Sequence, residues 1–307
     1  MSTGIEWTDE TWNPIIGCSV LSPGCTNCYA MRWAHRIGRN YKGLTELHKG
    51  NAVWNGEVKL IADRLLEPAT WRKPRHVFVD SMGDLFHENI PAEWIVQVFA
   101  VMSQHQQHIF QILTKRPARM LEVLSNIAIL PNVWLGVSIE DQLRAEERVP
   151  LLLKAPAVMR FVSAEPLLGP IDLTRLTVKG CDHINALTGI EENHPHGTLQ
   201  TARLDWVIAG GESGTGARVM HPYWPRSLRD QCAAAGVPFF FKQWGDWAPA
   251  PDHLNYEEAA EWAGKRFFSH HSSGHTFVRM GKPAAGRSLD GVTHDAMPQR
   301  APVSLLS

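Results

Sequence analysis

Three of the five cysteines of this 307-residue chain fall in the stretch WNPIIGCSVLSPGCTNCYAMRW, as Cys18, Cys25 and Cys28. Their spacing is C-x6-C-x2-C, with no fourth cysteine nearby. Cysteines clustered in a polar loop rich in glycine and proline read as metal ligands or redox groups rather than as small apolar side chains. Two metal chemistries compete. A closed structural zinc site wants four ligands, commonly two C-x2-C pairs or one pair with histidines. Only one such pair exists here, with His35 or the distant Cys181 as outside candidates. An iron–sulfur cluster usually takes four thiolates. Three would leave one iron open to a substrate or cofactor.

Bulk properties narrow the class. With 30 basic and 31 acidic residues, the formal net charge is -1, so overall charge makes no case for a polyanionic partner. The candidate phosphate contacts Arg72, Lys73, Arg75, Arg116 and Arg119 form no dense basic stripe. No run reaches the roughly 18 apolar residues of a membrane span, and the start MSTGIEWTDE lacks a basic-then-apolar signal. The expectation is a cytoplasmic protein with no membrane partner. An odd number of cysteines does not read as a disulfide framework.

The elements that must position the cysteines follow from one recurring unit. From residue 75 on, short β-branched or aromatic runs (RHVFVD, HIFQIL, NVWLGV, VMRFV, LDWVIA, VPFFF) each end in polar or glycine-rich residues. Such continuous apolar runs are what strands buried on both faces look like. Helical stripes separate several of them: NIPAEWIVQVFAVMSQHQ, KRPARMLEVL, EDQLRAEERVPLLLKA and PYWPRSLRDQCAAAG, the last ending at Gly236. With a first strand near NPIIG, the count is six or seven. The class is α/β, a partial or full (β/α) TIM-like barrel over residues 1–245; a doubly wound sheet is the alternative.

In either architecture ligands gather at the carboxyl ends of the strands. Polar residues stand there after every run: Asp80 to Asp84, Lys115 and Arg116, Ser138 and Glu140, Ser163 and Glu165, Gly210 to Ser213, and Lys242. Residues 170–204 interrupt the rhythm as an insertion that suits a lid or substrate loop, and 246–307 read as a C-terminal appendage. Cys181 to His183 with His194 to His196, and the HHSSGH stretch, are further groups of possible metal ligands. Trp244 and Trp247 are placed to stack on a flat substrate.

Three closely spaced cysteines after the first strand of a (β/α) barrel resemble the radical S-adenosylmethionine superfamily. More closely, TWNPIIGCSVLSPGCTNCYA and GKPAAGRSLDGVTHDAMP resemble an uncharacterised family of phage and prophage proteins with a three-Cys motif, over most of the chain. The resemblance implies a [4Fe–4S] cluster on Cys18, Cys25 and Cys28, S-adenosylmethionine on the open iron, an external electron donor, and hydrogen abstraction from a substrate. It implies that Gly83 and Asp84 of the MGD run hold the methionine ammonium. Lys115 then meets the carboxylate, Ser138 and Glu140 take the ribose hydroxyls, and SAEPLL and GGESG flank adenine. Glu165 and Glu212 become candidates for substrate contact or proton transfer; as helix N-terminal carboxylates they would have a blander role. The phage context points to a nucleic-acid base or nucleotide as substrate. The rival class is a non-enzymatic module stabilised by zinc or a cluster that binds nucleic acid or a partner protein. The superfamily spacing is C-x3-C-x2-C; here the first gap holds six residues, SVLSPG, and Asn27 stands where an aromatic residue is usual.

Overall fold

The computed structural model describes residues 3–178, 181–194, 197–251, 254–264, 268–270 and 274–299. Seven strands form one parallel sheet. They are β1 (Glu10–Trp12), β2 (His76–Val79), β3 (Ile109–Thr114), β4 (Val133–Ser138), β5 (Arg160–Ala164), β6 (Trp206–Gly210) and β7 (Phe239–Gln243). They pair in sequence order, each with the next. A doubly wound sheet would reverse its order at a switch point; this one does not. The sheet also does not close, because β1 and β7 remain its two edges. The architecture is a curled half-barrel rather than a full barrel.

The first strand lies just before NPIIG rather than in it. Ile15–Ile16 pairs antiparallel with Lys59–Leu60 in a separate ladder. Pro14 can donate no ladder hydrogen bond, and the Ile15 N–H is taken by the Asp80 carboxylate at 3.1 Å. Helix α1 (Tyr29–Ile37) follows the cysteines. Helices α2 (Ala92–Gln104), α3 (Pro117–Leu124), α4 (Gln142–Lys154) and α5 (Tyr223–Ala235) make the crossovers after β2, β3, β4 and β6. Gly236 ends α5 in the left-handed conformation, φ 66°, where a side chain would be strained.

Strand residues alternate between two cores. Val77, Ile112, Val137, Val162 and Val207 face outward and pack on the helices. Trp134, Phe161, Trp206 and Phe240 face the concave side, where Trp7 from the N-terminal segment joins them as a plug. A Cβ at Gly136 would overlap the Phe161 ring, so this glycine makes the room for that aromatic floor.

The insertion is not a lid. It is a four-stranded antiparallel sheet whose Leu176, Ile184 and Leu187 belong to the outer core. Gln231 of α5 bonds to the backbone of Ile171 and Leu173, and Gln142 of α4 to that of Asp172. The segment thus takes the place of a crossover helix between β5 and β6. In the appendage, Trp247–Pro249, Thr276–Arg279 and Phe268–His270 form a three-stranded sheet. The chain then returns to cover β7: Asp295 pairs with Phe240, and the Phe241 N–H donates to the His294 carbonyl. That cover blunts an otherwise open sheet edge.

Candidate functional site

Alternation along each strand decides which polar residue faces the concave side. Asp80, Lys115, Ser138, Ser163, Glu165 and Lys242 all line one cavity of about 220 Å³ above the aromatic floor. Cys18, Cys25 and Cys28 line the same cavity. Its deeper wall is apolar, with Trp7, Phe78 and Leu113. Among the described residues, it is lined by no other cysteine and by no histidine.

The six-residue gap between the first two cysteines has a structural use: it carries the chain across the mouth of the half-barrel. Ser22 Oγ donates to Glu140 Oε1 at 2.6 Å, beyond the end of β4. A Cβ at Gly24 would overlap that carboxylate, so the loop lies directly on it. The Pro23 carbonyl accepts from Arg218, and Asn27 donates to Glu212 at 3.0 Å, beyond the end of β6. The loop therefore starts at β1 and is fastened at β4 and β6.

Glu140 is fully buried with both oxygens engaged. Lys115 Nζ stands 3.1 Å from Oε1, and Arg148 Nη1 from α4 lies 3.0 Å from Oε2. Burial alone would raise its carboxyl, but Lys115, Arg148 and Ser22 outweigh that and hold it below its usual range. Glu212 is similar: burial opposes ionisation, and hydrogen bonds from Arg218 and Asn27 more than offset it. Neither glutamate lines the cavity. Both fasten the cysteine loop.

Asp84 accepts four hydrogen bonds: from the Phe86 and Lys115 backbone N–H groups, from Thr114 Oγ1 at 2.6 Å, and from Arg116 Nη1 at 2.9 Å. Arg116 Nη1 also lies 3.8 Å from Cys18 Sγ, and its Nη2 donates to Ser19 Oγ at 2.7 Å. Burial, with Asp84 adding to it, pushes the Cys18 thiol up to about 12 against the pull of Arg116. Cys28 stands at the position preceding α1, where burial raises its thiol and the nearby Met31 and Ala30 N–H groups oppose that rise. His87 accepts from the Asn89 N–H through Nδ1, which leaves Nε2–H to donate to Ser19 Oγ at 2.9 Å. Gly83 is where the Gly17 backbone comes closest, in an isolated parallel bridge; a Cβ there would stand 3.1 Å from the Gly17 carbonyl oxygen.

Two further carboxylates line the cavity, one ion-paired and one, among the described residues, without a cation. Glu165 pairs with Lys242, Oε1 to Nζ 3.0 Å, and accepts from Ser163 Oγ at 2.9 Å. Asp80 has φ 55°, is 3% exposed, and uses Oδ1 for the Ile15 N–H while Oδ2 has no hydrogen-bond partner. Burial pushes the Asp80 carboxyl well above its usual range; the Ile15 N–H opposes this and Asp84 reinforces it.

Ser138 lines the cavity with the lysines, as its place at the end of β4 suggests. Trp244 and Trp247 do not stack over the site: both are buried, and their Nε1–H groups donate to the Ser288 and Ala217 carbonyls. The candidate ligands Cys181, His194, His196 and His271 have side chains outside the described residues. Arg218, Asn27 and His87 carried no recognisable motif. Their only signal in the sequence was proximity to a strand end or to the cysteines.

No curated protein and no solved structure matches the chain. A family model described as "Protein of unknown function (DUF5131)" matches residues 2–298, and the chain belongs to that family.

Proposed function

We propose that the chain is a radical S-adenosylmethionine-type enzyme holding a [4Fe–4S] cluster on Cys18, Cys25 and Cys28. The observation that carries this reading is their convergence on one cavity at the carboxyl ends of a parallel half-barrel, beside two lysines and three acids, Asp80, Asp84 and Glu165. The donor set fits the group. Thiolates sharing one tetrahedral zinc ion lie within about 4 Å of one another. Three cysteines with no fourth cysteine and no histidine on the cavity wall, among the described residues, suit a cluster with one open iron better than a closed zinc site. A four-iron cluster gives each thiolate its own iron and so spreads them. Such a cluster, held by these cysteines, would supply one electron, taken from an external donor, for the reductive cleavage of a sulfonium.

The chain's own residues prepare the site. The α1 N-terminus at Cys28 and the guanidinium of Arg116 at Cys18 offset thiolate charge. Lys115 and Ser138 line the cavity and would meet the carboxylate and a hydroxyl of the cofactor. Asp84 and Glu140 act as positioning residues, because their oxygens already serve Arg116, Lys115, Arg148 and Ser22. Glu165 and Lys242 form the pair able to hold or move a proton. The floor of Trp7, Phe78 and Leu113 excludes water from a reactive intermediate.

Anaerobic purification tests this. The expected protein is brown, carries about four irons per chain, and releases 5′-deoxyadenosine when reduced with S-adenosylmethionine. A colourless, zinc-loaded protein overturns the reading.

A further inference from the structure

A second cavity of about 740 Å³ opens beside the first, lined by residues from β1 and β7, the two outermost strands of the sheet. Thr11 and Asn13 come from the β1 side, and Lys242 and Gln243 from β7. Ile5, Tyr29, Ser81 and Lys242 line both cavities, so the groove adjoins the cysteine chamber. Its outer wall is α1. Tyr29 and Trp33 stand one helical turn apart there, 55% and 39% exposed. Both rings stand on the rim of the cavity and remain partly open to solvent.

Charge identifies the ligand class. Among the residues lining the groove are three cations, Arg64, Lys242 and Lys282, and a single carboxylate, Glu67; Lys242 and Lys282 are already paired with Glu165 and Glu6. The outer wall continues the bias. From Tyr29 to Thr45 the chain carries Arg32, Arg36, Arg39 and Lys42 and no acidic residue, although the whole chain is nearly neutral. Helical spacing puts Tyr29, Trp33 and Arg36 on one exposed face, opposite the buried Ala30, Met31 and Ala34. Arg36, Arg39 and Lys42 are exposed and form no ion pair among the described residues. Flat aromatic faces interleaved with unpaired cations recognise stacked bases on a phosphate backbone.

We infer that this groove binds single-stranded polynucleotide, with bases on Tyr29 and Trp33 and phosphates on Arg36, Arg39 and Lys42, and presents one nucleotide to the cysteine chamber. The inference rests on the chamber being the reaction site, but its test does not need the reaction.

Fluorescence anisotropy of the cluster-loaded full chain, without reductant or S-adenosylmethionine, measures binding of labelled single-stranded DNA and RNA oligonucleotides, the matching duplex and a mononucleotide. Single strands of at least one sugar type should bind more tightly than duplex or mononucleotide. Trp33→Ala should weaken that binding about 5- to 100-fold. Arg36→Gln with Lys42→Gln should lower the slope of log affinity against log salt by about 1.4. Unchanged melting temperature and visible spectrum show that these surface variants remain folded and loaded. No binding at low salt overturns the inference, as does equal affinity for a mononucleotide or a duplex, or wild-type affinity in both variants. Oligonucleotide binding without 5′-deoxyadenosine release would sink the proposed reaction and leave this inference standing; release without oligonucleotide binding would do the reverse.

Discussion

Ser22 and Glu140 are joined by a 2.6 Å hydrogen bond across 118 residues of sequence. Through it, the loop between the first two cysteines is tied to a carboxylate that also neutralises Lys115 and Arg148. The long gap between Cys18 and Cys25 is therefore a bridge to the opposite strand ends rather than slack.

If that bridge sets the thiolate triangle, loosening it should cost metal. Ser22→Ala removes a hydrogen bond to a buried charged group, worth about 1.5–3 kcal/mol. Gly24→Ala forces a methyl group into Glu140, at about 1–3 kcal/mol. Both variants should lose iron per chain and melt earlier. Glu140→Ala leaves two cations without their buried partner and should be the worst of the three, at about 3–5 kcal/mol. Iron analysis with thermal melts reads all of these; normal iron content in Gly24→Ala would count against the bridge.

Asp84 should matter for the metal and not for the sulfonium. Its oxygens already accept from Thr114, Lys115, Arg116 and Phe86. Asp84→Asn should reduce cluster loading by releasing Arg116 from Cys18. The loaded fraction should bind S-adenosylmethionine with wild-type affinity. Calorimetry on loaded protein decides the matter, and a drop of tenfold or more there would restore Asp84 as a cofactor ligand.

The cysteines divide into two kinds. Alanine at Cys18, Cys25 or Cys28 should abolish the visible absorption of the cluster. Cys232→Ala should leave it intact, because Cys232 is buried in α5 within the outer core. Its expected effect is a modest loss of stability from a small cavity, about 1 kcal/mol. Paired spectra and melts separate the two groups.

Asp80 makes a pH-dependent prediction. Its folded carboxyl lies well above the unfolded value near 4. Between those two values the folded chain holds a proton that the unfolded chain has released, so stability falls as pH rises through that window. Asp80→Asn removes the penalty and keeps the acceptor for the Ile15 N–H; asparagine also tolerates the left-handed backbone. The variant should melt later than wild type at pH 7 to 8, with the difference vanishing below about pH 3. A constant difference across that range would show that charge is not the cause.

Much of this molecule was legible in its sequence. Continuous β-branched and aromatic runs are dictated by burial on both faces, so RHVFVD through VPFFF read as parallel strands. Polar residues after each run marked the mouth of the site, and C-x6-C-x2-C marked the loop that brings three cysteines to it. The first strand was displaced because Pro14 cannot donate and Asp80 captures the Ile15 N–H. The regular sheet in the insertion was missed because its short strands lack the long apolar runs of the core.

What only the tertiary structure decided is which polar residue at a strand end faces the cavity. Glu140 and Glu165 look alike in sequence, each just beyond a buried strand. One is enclosed by Ser22, Lys115 and Arg148, and the other faces the cavity beside Lys242. Spacing along the chain sets the face a side chain takes. Its charge and availability depend on partners from distant elements, and those are brought together only when the sheet curls and the cysteine loop crosses its mouth.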